Sequence, residues 1–230
     1  VSEGIEKHKH LVLLVAIVIL VVTQPMVAYQ TTAARLVHDL IAALVAAGLL
    51  VTVFSARWEK WIGVLLMVPL VALTFALYAL PEGSVRGVQI LYHLGVALYF
   101  GFAVGVIVRD ILRRRAITSD EIFGALAGYL LLGLVWGSLY GLLEFAASGS
   151  FDVSPDIRWQ LGDWHLRRAL FNYVSYSDMA TLGYSRVSPV SPLAHTLTWL
   201  EVIAAQFYLA VVIAQIVGMK IAQVVGAVRN

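Results

Sequence analysis

The sequence predicts an all-α membrane protein with six transmembrane helices. Hydrophobic residues make up 60% of its 230 positions and charged residues 13%, about half the charged share of an average soluble domain. Mean hydropathy is +0.86. Apolar residues gather in runs at 11–29, 36–54, 61–80, 88–108, 122–147 and 192–227, each close to or above the ~20 residues that cross a hydrocarbon core as helix. Helix is the expected state because lipid offers backbone N–H and C=O groups no partner outside the chain.

The first run, LVLLVAIVILVV behind Lys7-His8-Lys9-His10, has the layout of a secretory signal peptide as well as of a helix. Val27-Ala28-Tyr29 is a poor cleavage site, which favours a retained helix. His38 and His93 lie near helix ends, where an imidazole can sense pH, although a hydrogen-bonded structural role is the commoner use. Pro81-Glu82-Gly83-Ser84 breaks the chain between the third and fourth helices. The fourth run contains no Arg or Lys. It therefore lacks the repeated positive charge a voltage sensor moves, and steep voltage dependence is not expected. The basic stretch from Arg109 to Arg115 anchors the inner face. It divides a four-helix N-terminal transmembrane module, 1–116, from a second module, 117–230. Thr118-Ser119-Asp120-Glu121 supplies N-cap chemistry for the fifth helix.

With the N-terminus in the cytoplasm, the inner segments hold ten Lys and Arg (Lys7, Lys9, Arg57, Lys60, Arg109, Arg113, Arg114, Arg115, Lys220 and Arg229) and the outer ones six (Arg35, Arg86, Arg158, Arg167, Arg168 and Arg186). This bias predicts a multi-pass cell-membrane protein with both termini cytoplasmic. The polar loop at 148–160 then lies outside, with Trp159 and Trp164 at headgroup level. Asp163 is placed to cap a helix over 164–180, too short to cross a bilayer. Its C-terminal carbonyls would face inward and attract cations. Irregular backbone at that depth is tolerated where it is buried in protein or lines a wet path. One such loop encloses no pore, but several copies about an axis do.

Other functions are disfavoured. A net charge of +2 is too small to suggest nucleic acid, and the absence of cysteine removes disulfides, thiolate metal sites and thiol catalysis. No His-x-x-x-His, Gly-x-Ser-x-Gly or phosphate-loop pattern is present. The sequence is not expected to encode an enzyme or to need a cofactor.

Residues 171–189 read FNYVSYSDMATLGYSRVSP. Their core, Thr181-Leu182-Gly183-Tyr184-Ser185, resembles the selectivity filter of potassium channels, Thr-Val-Gly-Tyr-Gly. The run from Leu193 to Ala210, with its Leu-Glu and Gln-x-Tyr-Leu-Ala elements, is similar to the inner helix of the prokaryotic potassium-channel (two-helix pore) family. The resemblance covers about half the chain; the first four helices match no motif.

The resemblance implies a homotetramer in membrane lipid, with a re-entrant pore helix and filter between the last two transmembrane helices. It makes 117–230 a pore domain and K+ the permeant ion. The carbonyls of Thr181, Leu182, Gly183 and Tyr184 would bind K+, with the Thr181 hydroxyl at the inner end and the Tyr184 ring bracing the filter. Turning successive carbonyls to one side needs φ > 0 at alternate residues, which suits Gly183. Ser185 stands where the family has a second glycine, at a cost of roughly 1–2 kcal/mol in a left-handed conformation, giving a modified outer ion site. Arg186 replaces an Asp, so four arginines would ring the mouth and repel cations within a Debye length of about 8 Å. Ala180 replaces a Thr. Asp178 is expected to bond filter amides or to pair with Arg186, and Glu201 to lie behind the filter. Ala204, Ala205 and Gly218 offer bending points for a gate, or ordinary close packing. The expected function is a potassium-type cation channel, passive and not voltage-gated. Alternatives are a weakly selective cation channel, or a non-conducting membrane scaffold or sensor that retains the pore fold.

Overall fold

The computed structural model describes residues 8–80, 85–113, 118–183 and 186–228, without the side chains of 220, 223, 224 and 226–228. Lys7, the turn at 81–84, Arg114, Arg115, Arg229, Tyr184 and Ser185 therefore lie outside the described residues. The six expected spans are all helical: α1 (Lys9–Val27), α2 (Thr32–Thr52), α3 (Arg57–Ala79), α4 (Arg86–Arg113), α5 (Ser119–Ala146) and α7 (Pro192–Val228). Each contains a stretch long and apolar enough to cross a membrane. A seventh helix, α6 (Trp164–Met179), lies between α5 and α7. It is flanked by two short strands, β1 (Phe151–Val153) and β2 (Val187–Pro189).

Several helix ends follow from local sequence. Thr31 caps α2 through a hydrogen bond from the Ala34 amide. The Glu121 carboxylate reaches back to the Thr118 amide at 2.7 Å, as the Thr-x-x-Glu pattern leads one to expect. Asp120 works across helices: it accepts from the His10 and Leu11 amides, at 3.1 and 3.3 Å, and so satisfies donors at the start of α1. Glu59 is buried at the start of α3, where it accepts from the Ser55 and Ala56 amides and pairs with Arg109 at 2.5 Å. Arg109 thus has a structural partner besides its place in the basic stretch. The helix α4 also runs on through that stretch as far as Arg113.

Half of each apolar window of α4 and α5 is buried, against 17% for α7. The pair forms the centre of the molecule. One continuous core joins Leu13 and Ile17 of α1, Leu49 of α2, Tyr99 and Ala103 of α4, Ala127 and Leu131 of α5, and Tyr208 of α7. It therefore crosses the boundary between residues 1–116 and 117–230. His38 and His93 are both buried. His38 donates from Nε2 to the Leu20 carbonyl at 3.1 Å, and the His93 ring lies so close to Gly141 that a Cβ there would meet its Cε1 at 2.6 Å.

Candidate functional site

The stretch singled out in the sequence begins on α6. This helix is rich in polar groups, yet it is buried on most of its faces. It tolerates burial because several of its polar side chains find partners on the surrounding helices. Arg168 binds Asp39 of α2 at 2.7 Å and the Tyr92 hydroxyl of α4 at 2.9 Å. The Tyr78 hydroxyl of α3 donates to the other Asp39 oxygen at 2.6 Å. Asn172 donates to Gln24 of α1 at 2.8 Å, and the Tyr176 hydroxyl donates to the Leu130 carbonyl of α5 at 2.7 Å. Small residues let α5 lie close against α6. A Cβ on Gly137 would collide with the Asn172 side chain and stand 2.9 Å from its Cα, and one on Gly133 would collide with the Tyr176 ring.

Asp163 caps α6 as expected, accepting from the His165 and Leu166 amides at 2.8 and 3.2 Å. Its other oxygen binds Arg35 at 2.6 Å. Burial alone would raise the Asp163 pKa, but Arg35 and the two amides outweigh it and hold the carboxyl below its ordinary 3.8. Trp164, expected at headgroup level, is partly buried and packs on His165, Tyr78, Tyr92 and the Arg168 guanidinium.

The far end of α6 closes in a Schellman motif. The Thr181 amide donates to the Asp178 carbonyl at 2.9 Å, and the Leu182 amide donates to the Ser177 carbonyl at 2.8 Å. The residue between helix and tail in this motif needs a left-handed backbone, and here it is Thr181, with φ 57°. Gly183 follows with φ 65°. Positive φ thus alternates along the segment, at Gly183 as expected and at a β-branched residue where it was not. Thr181, Leu182 and Gly183 are all exposed on the single chain. Tyr184 and Ser185, the upper part of the expected filter, lie outside the described residues.

After Gly183 the chain returns to where it left. β2 pairs antiparallel with β1, in register Phe151↔Pro189, Asp152↔Ser188 and Val153↔Val187. The Ser154 amide adds a bond to the Arg186 carbonyl at 3.0 Å. Residues before α6 and after the exposed segment are therefore held side by side.

Among the supporting residues, Arg186 is the clear correction. It is exposed and forms an ion pair not with Asp178 but with Asp156 in the loop before α6. A neutral pair thus replaces the bare positive charge expected there. Asp178 is half-buried and uses its backbone carbonyl, as described, to end the helix. Glu201 on α7 is fully buried, with its carboxylate bonded to the Tyr140 hydroxyl of α5 and the Ser175 hydroxyl of α6. It locks three helices together behind α6. Ala205 is fully buried in the helix bundle, whereas a Cβ on Gly218 would meet nothing within 4 Å.

Sequence reasoning passed over Asp39. It is the only charged residue in the apolar run 36–54, and a charge at such a position marks a site by default. That signal was enough to single it out, although not to name Arg168 as its partner. No protein-family model, curated protein or solved structure matches the chain.

Proposed function

We propose that this chain is the subunit of a potassium-type cation channel, in which four copies surround a passive ion path. In this reading α6 is the pore helix, and Thr181, Leu182, Gly183 and Tyr184 present main-chain oxygens to dehydrated K+, with Ser185 as a modified outer site. The observation that carries it is the placement of the Thr-Leu-Gly-Tyr tetrapeptide. It follows a short buried helix, leaves that helix with left-handed backbone at Thr181 and Gly183, is exposed on one chain at Thr181, Leu182 and Gly183, and is followed by the β1–β2 ladder. Main-chain oxygens can replace an ion's hydration shell only where the backbone itself is free to face the path. The pairing of Arg186 with Asp156 supports cation entry by neutralising a charge that would otherwise oppose it. In the absence of Arg or Lys along 88–108, the gate is not driven by voltage through that helix.

A second reading, a weakly selective or non-conducting relative of the same pore, draws on Ser185 and Arg186 standing where the channel family has Gly and Asp. Ion flux from liposomes containing the purified chain separates the readings. Flux in a potassium gradient and not in a sodium gradient is expected; equal fluxes indicate weak selectivity, and none indicates a scaffold. The double variant Ser185→Gly with Arg186→Asp should raise potassium flux, and an unchanged flux would argue against the filter assignment.

A further inference from the structure

At the end of the bundle where α6 begins, an open cavity of 650 Å³ is lined by Arg35, Arg86 and Arg167, together with Tyr78, Phe145 and Asp163. These come from the ends of α2 to α6, so the cavity is built by the whole bundle end and not by one loop. Its charge is unbalanced: among the described residues the lining holds three guanidinium groups and one carboxylate. Asp163 is committed to Arg35. Arg86 gives one nitrogen to the Phe145 carbonyl at 2.8 Å. Arg167 lies over the Phe145 ring at 4.2 Å and has no ion pair or side-chain hydrogen bond among the described residues. Its Nε is enclosed without a partner, as is that of Arg35. The nearby carboxylate of Glu144 is turned to the Gly149 and Phe151 amides.

A half-buried guanidinium with no direct ion pair or hydrogen bond is unfavourable, since the distant carboxylates of Glu144 and Asp163 do not make up for the water it loses. An oxyanion would supply what is missing. Arginine forks match the oxygens of phosphate in paired hydrogen bonds, and the cavity has the size of a small-ligand pocket, commonly about 300–1,000 Å³. We propose that this cavity is a binding site for a phosphate-type oxyanion, held by Arg167 and Arg86, with Arg35 adding its positive charge while it stays bonded to Asp163 and the Ala28 carbonyl. The anion comes either as a free ion or as the headgroup of an anionic phospholipid, because both present the same oxygens. The site stands apart from the 181–184 segment and does not depend on whether the chain conducts.

The test uses the full chain in neutral detergent. Inorganic phosphate is titrated at constant ionic strength, and dihexanoyl phosphatidylglycerol is titrated beside dihexanoyl phosphatidylcholine, with binding read by calorimetry. Saturable binding of phosphate, or of phosphatidylglycerol in preference to phosphatidylcholine, is expected. The preferred probe distinguishes the free anion from the lipid. Arg167→Gln should weaken that binding about tenfold or more, the loss of one charge-assisted pair, and Arg167→Lys should weaken it less. Arg158→Gln, which alters an exposed arginine paired with Asp152, should leave it unchanged. Should Arg167→Gln fail to fold, the exposed Arg86→Gln gives the same reading. The proposal is overturned if neither probe saturates, or if Arg167→Gln and Arg86→Gln bind as the native chain does. It is also overturned if binding develops only in Glu82→Gln, which would make Glu82 the cluster's own counter-ion.

Discussion

Thr181 concentrates the local conflict in this molecule. Its φ of 57° belongs to a region that glycine enters freely and a β-branched residue enters at a cost of roughly 1–2 kcal/mol. Helix termination supplies a reason for the conformation, because the Schellman closure of α6 requires it, but not for the residue type. Thr181→Gly should therefore raise the thermal midpoint in detergent, by the equivalent of about 1 kcal/mol. An unchanged or lowered midpoint would mean that threonine is relaxed there. The same variant should reduce potassium flux, since it deletes the hydroxyl proposed at the inner ion site. Asp39 and Arg168 make the opposite case, of partners that fit each other well in a buried place. Removing either alone leaves a charge without its counterpart, at a cost of about 3–5 kcal/mol. Asp39→Ala and Arg168→Ala should each destabilise strongly, while the double variant should cost less than their sum by up to about 3 kcal/mol. Strict additivity would show that the two side chains are not coupled.

Among the elements, α6 is the one whose surroundings matter most. The sequence made its existence legible: Asp163 announces a cap, and a polar segment between two long apolar runs cannot be a seventh span. The six spans were legible for a simpler reason, since a run of ~20 apolar residues has few alternatives. The contacts of α6 were not legible. Arg168 lies 129 positions from Asp39, and spacing carries no information across such a distance. The β1–β2 ladder was missed because three-residue strands are too short to establish a period-two pattern. Without the ladder and its loop, the pairing of Arg186 with Asp156 had no reason to be guessed. The close approach of α5 to α6 was also hidden, since glycines in a membrane helix are common and only neighbours show which of them are needed. Gly137→Ala should cost about 1–3 kcal/mol by forcing α6 outward, because its Cβ would meet main-chain Cα of Asn172. Gly218→Ala, with open space around it, should instead stabilise α7 by up to about 1 kcal/mol. Thermal unfolding of the two variants side by side tests whether packing or helix propensity governs each position.

The whole molecule leaves one face unexplained by a single chain. Along α7, Trp199, Ile203, Phe207 and Val211 are spaced four apart and all exposed, Phe207 at 65%, so they form one apolar stripe. The neighbouring segment, Thr181 to Gly183, is exposed as well. Lipid can cover an apolar helix face, but it cannot satisfy the backbone of an irregular segment at membrane depth. Both surfaces are accounted for together if further copies of the chain cover α7 and enclose the segment about an axis. Leu44 of α2 and Leu65 of α3 provide the contrast, each 71% exposed but on helices far from that segment in sequence. Mass measured by light scattering in mild detergent should give four chains for the native protein. Ile203→Ala with Phe207→Ala should release single folded chains, because contact area lost at a subunit interface has no lipid substitute of the same shape. Leu44→Ala with Leu65→Ala should remain tetrameric. A native protein that runs as one chain, or a tetramer equally indifferent to both pairs, would leave Thr181 to Tyr184 with no axis to surround and would remove the basis for conduction.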